Sequence, residues 1–313
     1  TTLFRSRSGV RGGPGRRSFN DGRPIVNPAT ADPRSVSSKR MSVVDARLRQ
    51  EGVAAGAVQP MRRRSDNGPA PLSFAQQRLW FLDQLVPGNA FYNVPMSIRS
   101  PYALNVTVLE RCLTEIVRRH ETLRTVFAVV DGMPAQVVQP PWAVKVPVTD
   151  LTRLPAGERE AKAAELADEE ARRPFDLTRG PLIRMSLLRL GPVDHVFLLT
   201  LHHIVSDGWS IGILGRELTT LYGAYAAGRK LPLEELPVQY ADYAVWQRER
   251  LRGEVLERQL AYWRGELEGI EALQLPTDRP RPAVQSYRGG SGGVELPAGL
   301  AGRFRELGGE EGW

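Results

Sequence analysis

An α/β fold of the α+β sandwich kind is what the sequence predicts, and two observations carry that prediction. Two pairs of β-rich runs are each split by a tight-turn signal: 125–130 and 134–139 flank Asp131-Gly132, and 183–190 and 196–203 flank Gly191-Pro192-Val193-Asp194. Two further segments repeat apolar residues at helical spacing. One holds Leu109, Cys112, Leu113, Ile116 and Val117, the other Ile211, Leu214, Leu218, Leu221, Tyr222 and Tyr225. Hairpins and amphipathic helices in one chain pack as layers around a common core.

Taken in order, residues 1–67 are expected to be a disordered basic N-terminal segment. They are rich in Gly, Pro, Ser and Arg and bury too little apolar surface to offset the entropy of ordering. One short helix fits within it at about 43–50. The folded body is expected over 68–275. Ser73 is a good N-cap for a helix running to about 85, where Pro87-Gly88 ends it. A strand follows at 92–99, and Asn105 caps the first amphipathic helix. Cys112 sits on the apolar stripe of that helix and is expected in the core. A charged helix spans 156–173 and stops at Pro174, and later helices fit 239–251 and 254–268. Residues 276–293 read as a Pro/Gly-rich loop, with a strand or helix beginning at 294–307. No internal repeat is present.

Composition excludes several functions. The chain has 313 residues, 42 Lys+Arg against 35 Asp+Glu, and one Cys. A single cysteine excludes a disulfide scaffold and a multi-cysteine zinc site. The positive charge is local: residues 1–67 carry 14 Lys+Arg and 5 Asp+Glu, residues 68–313 carry 28 and 30. A nucleic-acid-binding fold places its basic patch on the folded surface, so no nucleic-acid partner is expected. The longest apolar run, 196–201, is far too short to span a bilayer, and the first thirty residues lack an apolar signal core. No membrane association and a cytoplasmic location are expected.

The chemistry concentrates in Leu201-His202-His203-Ile204-Val205-Ser206-Asp207-Gly208-Trp209-Ser210, which holds two of the four histidines. Side chains alternate along a strand, so His202 shares a face with Val196 and Leu198, and His203 with Phe197, Leu199 and Leu201. Neighbouring histidines on opposite faces do not clamp one metal ion, and no metal site is expected. A histidine at the end of a rigid strand suits proton transfer near neutral pH, its ordinary pKa being ~6.5. Asp207 either orients the histidine or pairs with a buried arginine and braces the loop. Gly208 permits a tight turn or the close approach of a ligand. No G-x-S-x-G elbow is present, which disfavours a serine hydrolase.

His202-His203-x-x-x-Asp207-Gly208 with Trp209-Ser210 resembles the signature of condensation domains of non-ribosomal peptide synthetases. Three further stretches are similar to motifs of the same family: Ser73-Phe74-Ala75-Gln76-Gln77-Arg78-Leu79-Trp80-Phe81-Leu82, Arg119-His120-Glu121-Thr122-Leu123-Arg124-Thr125-Val126-Phe127, and Tyr240-Ala241-Asp242-Tyr243-Ala244-Val245-Trp246-Gln247. Phe175-Asp176-Leu177 and Gly180-Pro181-Leu182 are also typical of it.

The resemblance implies a chloramphenicol-acetyltransferase-like lobe, truncated before the second lobe, with residues 276–313 as the crossover and the start of that lobe. It implies amide formation between two carrier-bound thioesters, with no directly bound cofactor and the phosphopantetheine arms of the carriers as substrates. Implied partners are upstream and downstream peptidyl or acyl carrier domains and the adenylation domain of the same assembly line. His203 is implied as the catalytic residue, as a base or as a stabiliser of the tetrahedral intermediate. His202, Asp207, Gly208 and Arg124 are implied to support it. Asp207 is expected to form an ion pair with Arg124, preferred over Arg119, and Trp209 and Ser210 to wall the site. Tyr92-Asn93-Val94-Pro95 after the first motif looks most like domains joining two L-configured residues. On this reading the 313-residue chain alone is inactive. The alternatives are a free-standing acyltransferase using a coenzyme A thioester and a non-catalytic module that docks carrier proteins.

Overall fold

The structure is a computed structural model that describes residues 60–66, 68–280, 283 and 296–310. The short helix expected at 43–50 and the remainder of the basic segment lie outside the described residues. Residues 60–66 depart from the expectation of disorder. The Arg64 amide donates to Asp242 Oδ1 (3.0 Å) and its guanidinium to the Gly68 carbonyl (2.9 Å), while Arg63 pairs with Glu121 (3.2 Å). Asp242 is buried and its charge needs a partner, which these residues help to supply.

In chain order the elements are β1 (Ala70–Pro71), α1 (Phe74–Leu85), β2 (Asn93–Ser100), α2 (Val106–Arg119), β3 (Thr125–Val130), β4 (Met133–Val138), β5 (Val148–Asp150), α3 (Ala156–Arg172), β6 (Ile183–Gly191), β7 (Asp194–His202), α4 (Gly208–Ala226), α5 (Tyr240–Arg250), α6 (Gly253–Glu266) and α7 (Ala298–Glu310). The described residues up to Ile270 form one compact unit. Those from Glu271 onward, including α7, belong to a second.

The larger sheet has the order β2-β7-β6-β5, antiparallel except for the parallel β5–β6 pair. Strand periodicity divides β6 and β7 between two cores. Phe197, Leu199 and Leu201, with Ile183 and Leu187, pack against the Leu109, Cys112, Leu113, Ile116 and Val117 stripe of α2 and against Leu214 and Leu221 of α4. Leu198, Leu188 and Leu190 turn to the other face and pack with Ala163 of α3. Each fully buried aliphatic side chain contributes about 1.5–3 kcal/mol, so both faces hold β7 firmly in place. α2 starts where Asn105 Oδ1 accepts the Val108 amide (3.1 Å), and Arg118 and Arg119 complement the helix dipole in its last turn.

The smaller sheet runs β1-β4-β3. Its β3–β4 hairpin turns through Asp131 (φ 50°) and Gly132 (φ 78°), the two positive φ values that a two-residue hairpin requires. A third core of Leu72, Leu79, Phe127, Phe175, Leu177 and Leu182 joins this sheet to α1 and receives Ile204 and Val205 from the loop after β7. Gly180 (φ 60°) turns the chain into β6, and a Cβ there would lie 3.1 Å from Val126 Cγ1. α6 has no buried residue.

Candidate active site

β7 ends at His202, one residue earlier than its apolar pattern suggests, because the backbone curls there. The His202 amide still donates to the Leu182 carbonyl (3.0 Å), but the His202 carbonyl accepts from Val205 N (3.1 Å) and Ser206 Oγ (3.2 Å). His203 therefore lies outside the strand, held by its own amide on the Tyr92 carbonyl (2.8 Å). Ile204 and Val205 anchor the turn by entering the third core.

The two imidazoles then have different surroundings. His202 is buried beside the edge of Phe175 (ring centroids 6.1 Å apart) and near Tyr92 (6.3 Å). Its Nδ1 accepts the Ile204 amide (3.1 Å), which places the proton of the neutral ring on Nε2. Burial, with a smaller contribution from neighbouring His203, pushes its pKa down to about 4. His203 is exposed. Its Nδ1 lies 2.5 Å from the Ser206 carbonyl, and since a carbonyl only accepts, Nδ1 carries the proton. In the neutral ring the lone pair is then on Nε2.

Asp207 begins α4 rather than bracing the loop. Its Oδ1 accepts the Ser210 amide (2.8 Å) and its own amide donates to Ser210 Oγ (2.8 Å), a reciprocal cap. The expected Asp207–Arg124 ion pair is not formed. The Arg124 guanidinium lies 3.6 Å from Glu121 and donates to the Gln139 carbonyl (2.5 Å), with its Nε buried and unpartnered. The Asp207 carboxylate is already engaged by the first turn of α4, and the Arg124 fork is drawn toward the end of the β3–β4 hairpin. Burial pushes the Arg124 pKa down, with Glu121 opposing it. Buried Arg119 does have a carboxylate partner, but it is the half-buried Glu217 of α4 (3.3 Å), which also accepts from His120 Nε2 (2.8 Å). Burial alone would raise the Glu217 pKa; the bonds from His120 and Arg119 prevail and hold it low.

Gly208 is the first residue of α4, and a Cβ added there would meet nothing within 4 Å. Trp209 is 75% exposed and does not line the pocket under the loop. Ser210 lines a small pocket under the loop.

The other motifs converge on this loop. Gln76 of α1 is buried; its Oε1 accepts the Ser73 amide (3.0 Å), and its Nε2 donates to Gln136 Oε1 (3.0 Å) and reaches the Ile204 carbonyl (3.5 Å). Tyr240 of α5 shares a hydrogen bond with Ser73 Oγ (3.0 Å). Burial raises its phenol pKa, and the nearby Asp207 charge adds to the rise. Gln239 ties α5 to the end of α2 by donating to the Arg119 carbonyl (2.9 Å) and accepting the Glu121 amide (3.0 Å). Sequence reasoning missed Gln76 and Glu217. The Ser73-x-x-Gln76 spacing of a capping box was the available signal for the first. Nothing in the spacing of Glu217 marks it apart from other helix glutamates. Cys112 is buried, and burial pushes its thiol up to about 11, so it is protonated. Among the described residues, no three His, Cys, Asp or Glu side chains are grouped to hold a metal ion, and no helix is long and apolar enough to cross a membrane.

Comparison with known proteins places these motifs together. Residues 67–312 match the condensation domain family. A linear gramicidin synthase of Brevibacillus parabrevis is 52% identical over 243 residues, covering 77% of this chain and 3% of that protein. Phosphinothricin tripeptide synthetase PhsC of Streptomyces viridochromogenes is 44% identical over 274 residues, covering 87% of this chain and 25% of that protein. Among solved structures, the teicoplanin X-domain in its complex with OxyB is 32% identical with a TM-score of 0.67, over 81% of this chain and 55% of that one. The first condensation domain of the CDA synthetase is 26% identical with a TM-score of 0.57, over 65% and 51%. The chain thus spans about half the length of the solved structures it matches and a small part of the curated relatives. The fold is the chloramphenicol-acetyltransferase-like one of these domains, and the chain belongs to the condensation domain family of non-ribosomal peptide synthesis.

Proposed function

We propose that the chain carries the His203 half of a site that joins two carrier-bound thioesters by an amide bond. On this reading residues 68–275 are the first lobe and 276–313 lead into the second. The substrates are the phosphopantetheine thioesters of an upstream and a downstream carrier domain, loaded within an assembly line that also holds adenylation domains. The amine of the downstream aminoacyl thioester attacks the upstream thioester carbonyl. The tetrahedral intermediate collapses with cleavage of the C–S bond, the upstream thiol leaves, and the amine gives up a proton.

The observation that carries this reading is the tautomer of His203. With Nδ1–H committed to the Ser206 carbonyl, Nε2 of the neutral ring is an acceptor on an exposed loop. That supports the base role, because donating to an oxyanion from Nε2 would require the imidazolium. His202 supports the loop from below, and Asp207 fixes where α4 starts. Gly208 has a second use: neither its packing nor its φ requires glycine, so the open space above it is available to a pantetheine arm. The likeness of Tyr92-Asn93-Val94-Pro95 to domains joining two L-configured residues supports that substrate class, and the Tyr92 carbonyl also holds His203. A docking role has one supporting observation, the similarity to an X-domain solved with a protein partner. The free Nε2 favours chemistry over docking.

The test joins residues 1–313 to the remaining half of the condensation domain of its gramicidin synthase relative and supplies two aminoacyl-loaded carriers. Amide product forming on the downstream carrier, and falling at least about 100-fold in His203→Ala with the fold retained, is expected. Product formation unchanged in that variant refutes the proposal, as does activity with coenzyme A thioesters alone.

A further inference from the structure

Directly under the His203 loop lies a pocket of about 70 Å³. Leu201, Val205, Leu123 and Leu214 form its apolar floor, and partly exposed Ile211 and Ile213 lie along it. Its polar side chains are those of His120, Thr122, Ser206 and Ser210. Three of these are bound to their own neighbours: the His120 ring to Glu217, the Ser206 hydroxyl to the His202 carbonyl, and the Ser210 hydroxyl to the Asp207 backbone. The pocket is therefore apolar in what it offers a ligand.

Its position gives it a use. Ser206 both lines the pocket and accepts the Nδ1–H of His203 through its carbonyl, so the cavity and the reacting imidazole share one residue. In an aminoacyl thioester the side chain branches from the carbon that also bears the amine and the thioester carbonyl. A thioester brought to His203 would set its side chain beside the loop whose residues Val205, Ser206 and Ser210 line the pocket. The volume is under half of the ~150 Å³ that holds a benzene ring, so it admits an alanine- to valine-sized group and not an aromatic one.

We infer that this pocket is a side-chain subsite for a small or branched aliphatic residue on one of the two thioester substrates. The inference rests on the amide-forming reading of His203. Ile213 and Ile211 set its size.

The probes are glycyl, valyl and phenylalanyl thioesters of N-acetylcysteamine, each with a free amine, as in the downstream substrate, and N-acetylated, as in the upstream one. They are titrated into the 313-residue chain while the methyl signals of Ile211, Ile213 and Leu214 are followed by NMR. One valyl form is expected to move these methyls and to bind at least about 10-fold tighter than its glycyl and phenylalanyl counterparts, since each buried methylene contributes roughly fourfold. Whether the free-amine or the acetylated series shows this identifies the substrate served. Ile213→Phe is expected to bring the valyl-to-glycyl preference to about one. Ile211→Phe repeats the test if Ile213→Phe lowers the melting temperature. Equal binding of all side chains, silent pocket methyls, or a preference that survives both variants overturns the subsite. Amide formation with glycyl substrates in the joined domain, lost in His203→Ala, is read separately. The subsite can therefore fail while the reading of His203 stands.

Discussion

Burial of the His202 imidazole has a cost that depends on pH. In the unfolded chain the ring titrates near ~6.5; in the folded protein its pKa is pushed down to about 4. Between these values the unfolded chain binds the proton and the folded one does not, so stability is full above the unfolded pKa and declines as pH falls toward the folded one. The loss reaches about 3 kcal/mol over the whole window and about 2 kcal/mol between pH 6.5 and 5. Urea unfolding of wild type and His202→Gln at the two pH values measures it, with a smaller decline expected in the variant. Equal declines would mean that His202 is not held neutral. His203, one residue on, is exposed and keeps its ring for contact with a substrate. Strand alternation separated the two rings but put His203 on the face of Phe197, Leu199 and Leu201, which is buried; its exposure comes from the chain leaving the strand after His202, which the apolar pattern did not show. The fate of Asp207 was not. A carboxylate three residues before a serine at a helix start can serve as a cap or as half of an ion pair, and the position of Arg124 against Gln139 decides between them.

Among the elements, the join of α2 to α4 has the most to lose. Arg119 is buried, and its charge is balanced by Glu217, which also holds His120. Glu217→Gln removes the carboxylate charge and one of the two oxygens that Arg119 and His120 share, leaving that arginine with only neutral acceptors, the Gln amide oxygen and the Glu234 carbonyl. Removing one member of a buried pair costs about 3–5 kcal/mol, so a large fall in the denaturation midpoint is expected. A fall under about 1 kcal/mol would show that solvent screens the network. The hairpin of β3 and β4 was readable from Asp131-Gly132, and the start of α1 from Ser73. Local chemistry fixes both. The partnership of Arg119 with Glu217 spans 98 residues of sequence and has no local signature. The same holds for Arg64 and Asp242, 178 residues apart, where composition suggested disorder and a buried carboxylate imposes order.

Across the whole molecule, the exposed apolar side chains call for a partner. Tyr262, Trp263, Leu267 and Ile270, on α6 and just beyond it, are each more than half exposed, as are Phe81 and Trp209. Periodicity showed that α6 is a helix without showing what it packs on. Patches of this kind drive association. The purified 313-residue chain is expected to self-associate at micromolar concentration, more so in sulfate, which strengthens apolar burial. Sedimentation velocity of wild type against Tyr262→Ser/Trp263→Ser checks this, with the variant shifted toward monomer. An unshifted distribution would place the sticky surface elsewhere. The central claim concerns a single atom: the loop after β7 keeps the His203 proton on Nδ1 and leaves Nε2 as the acceptor. Nitrogen-15 NMR of the histidine rings at pH 8, with His202→Gln and His203→Ala for assignment, reads it directly. The account predicts that His203 is protonated on Nδ1 and His202 on Nε2. A His203 ring protonated on Nε2 would contradict it.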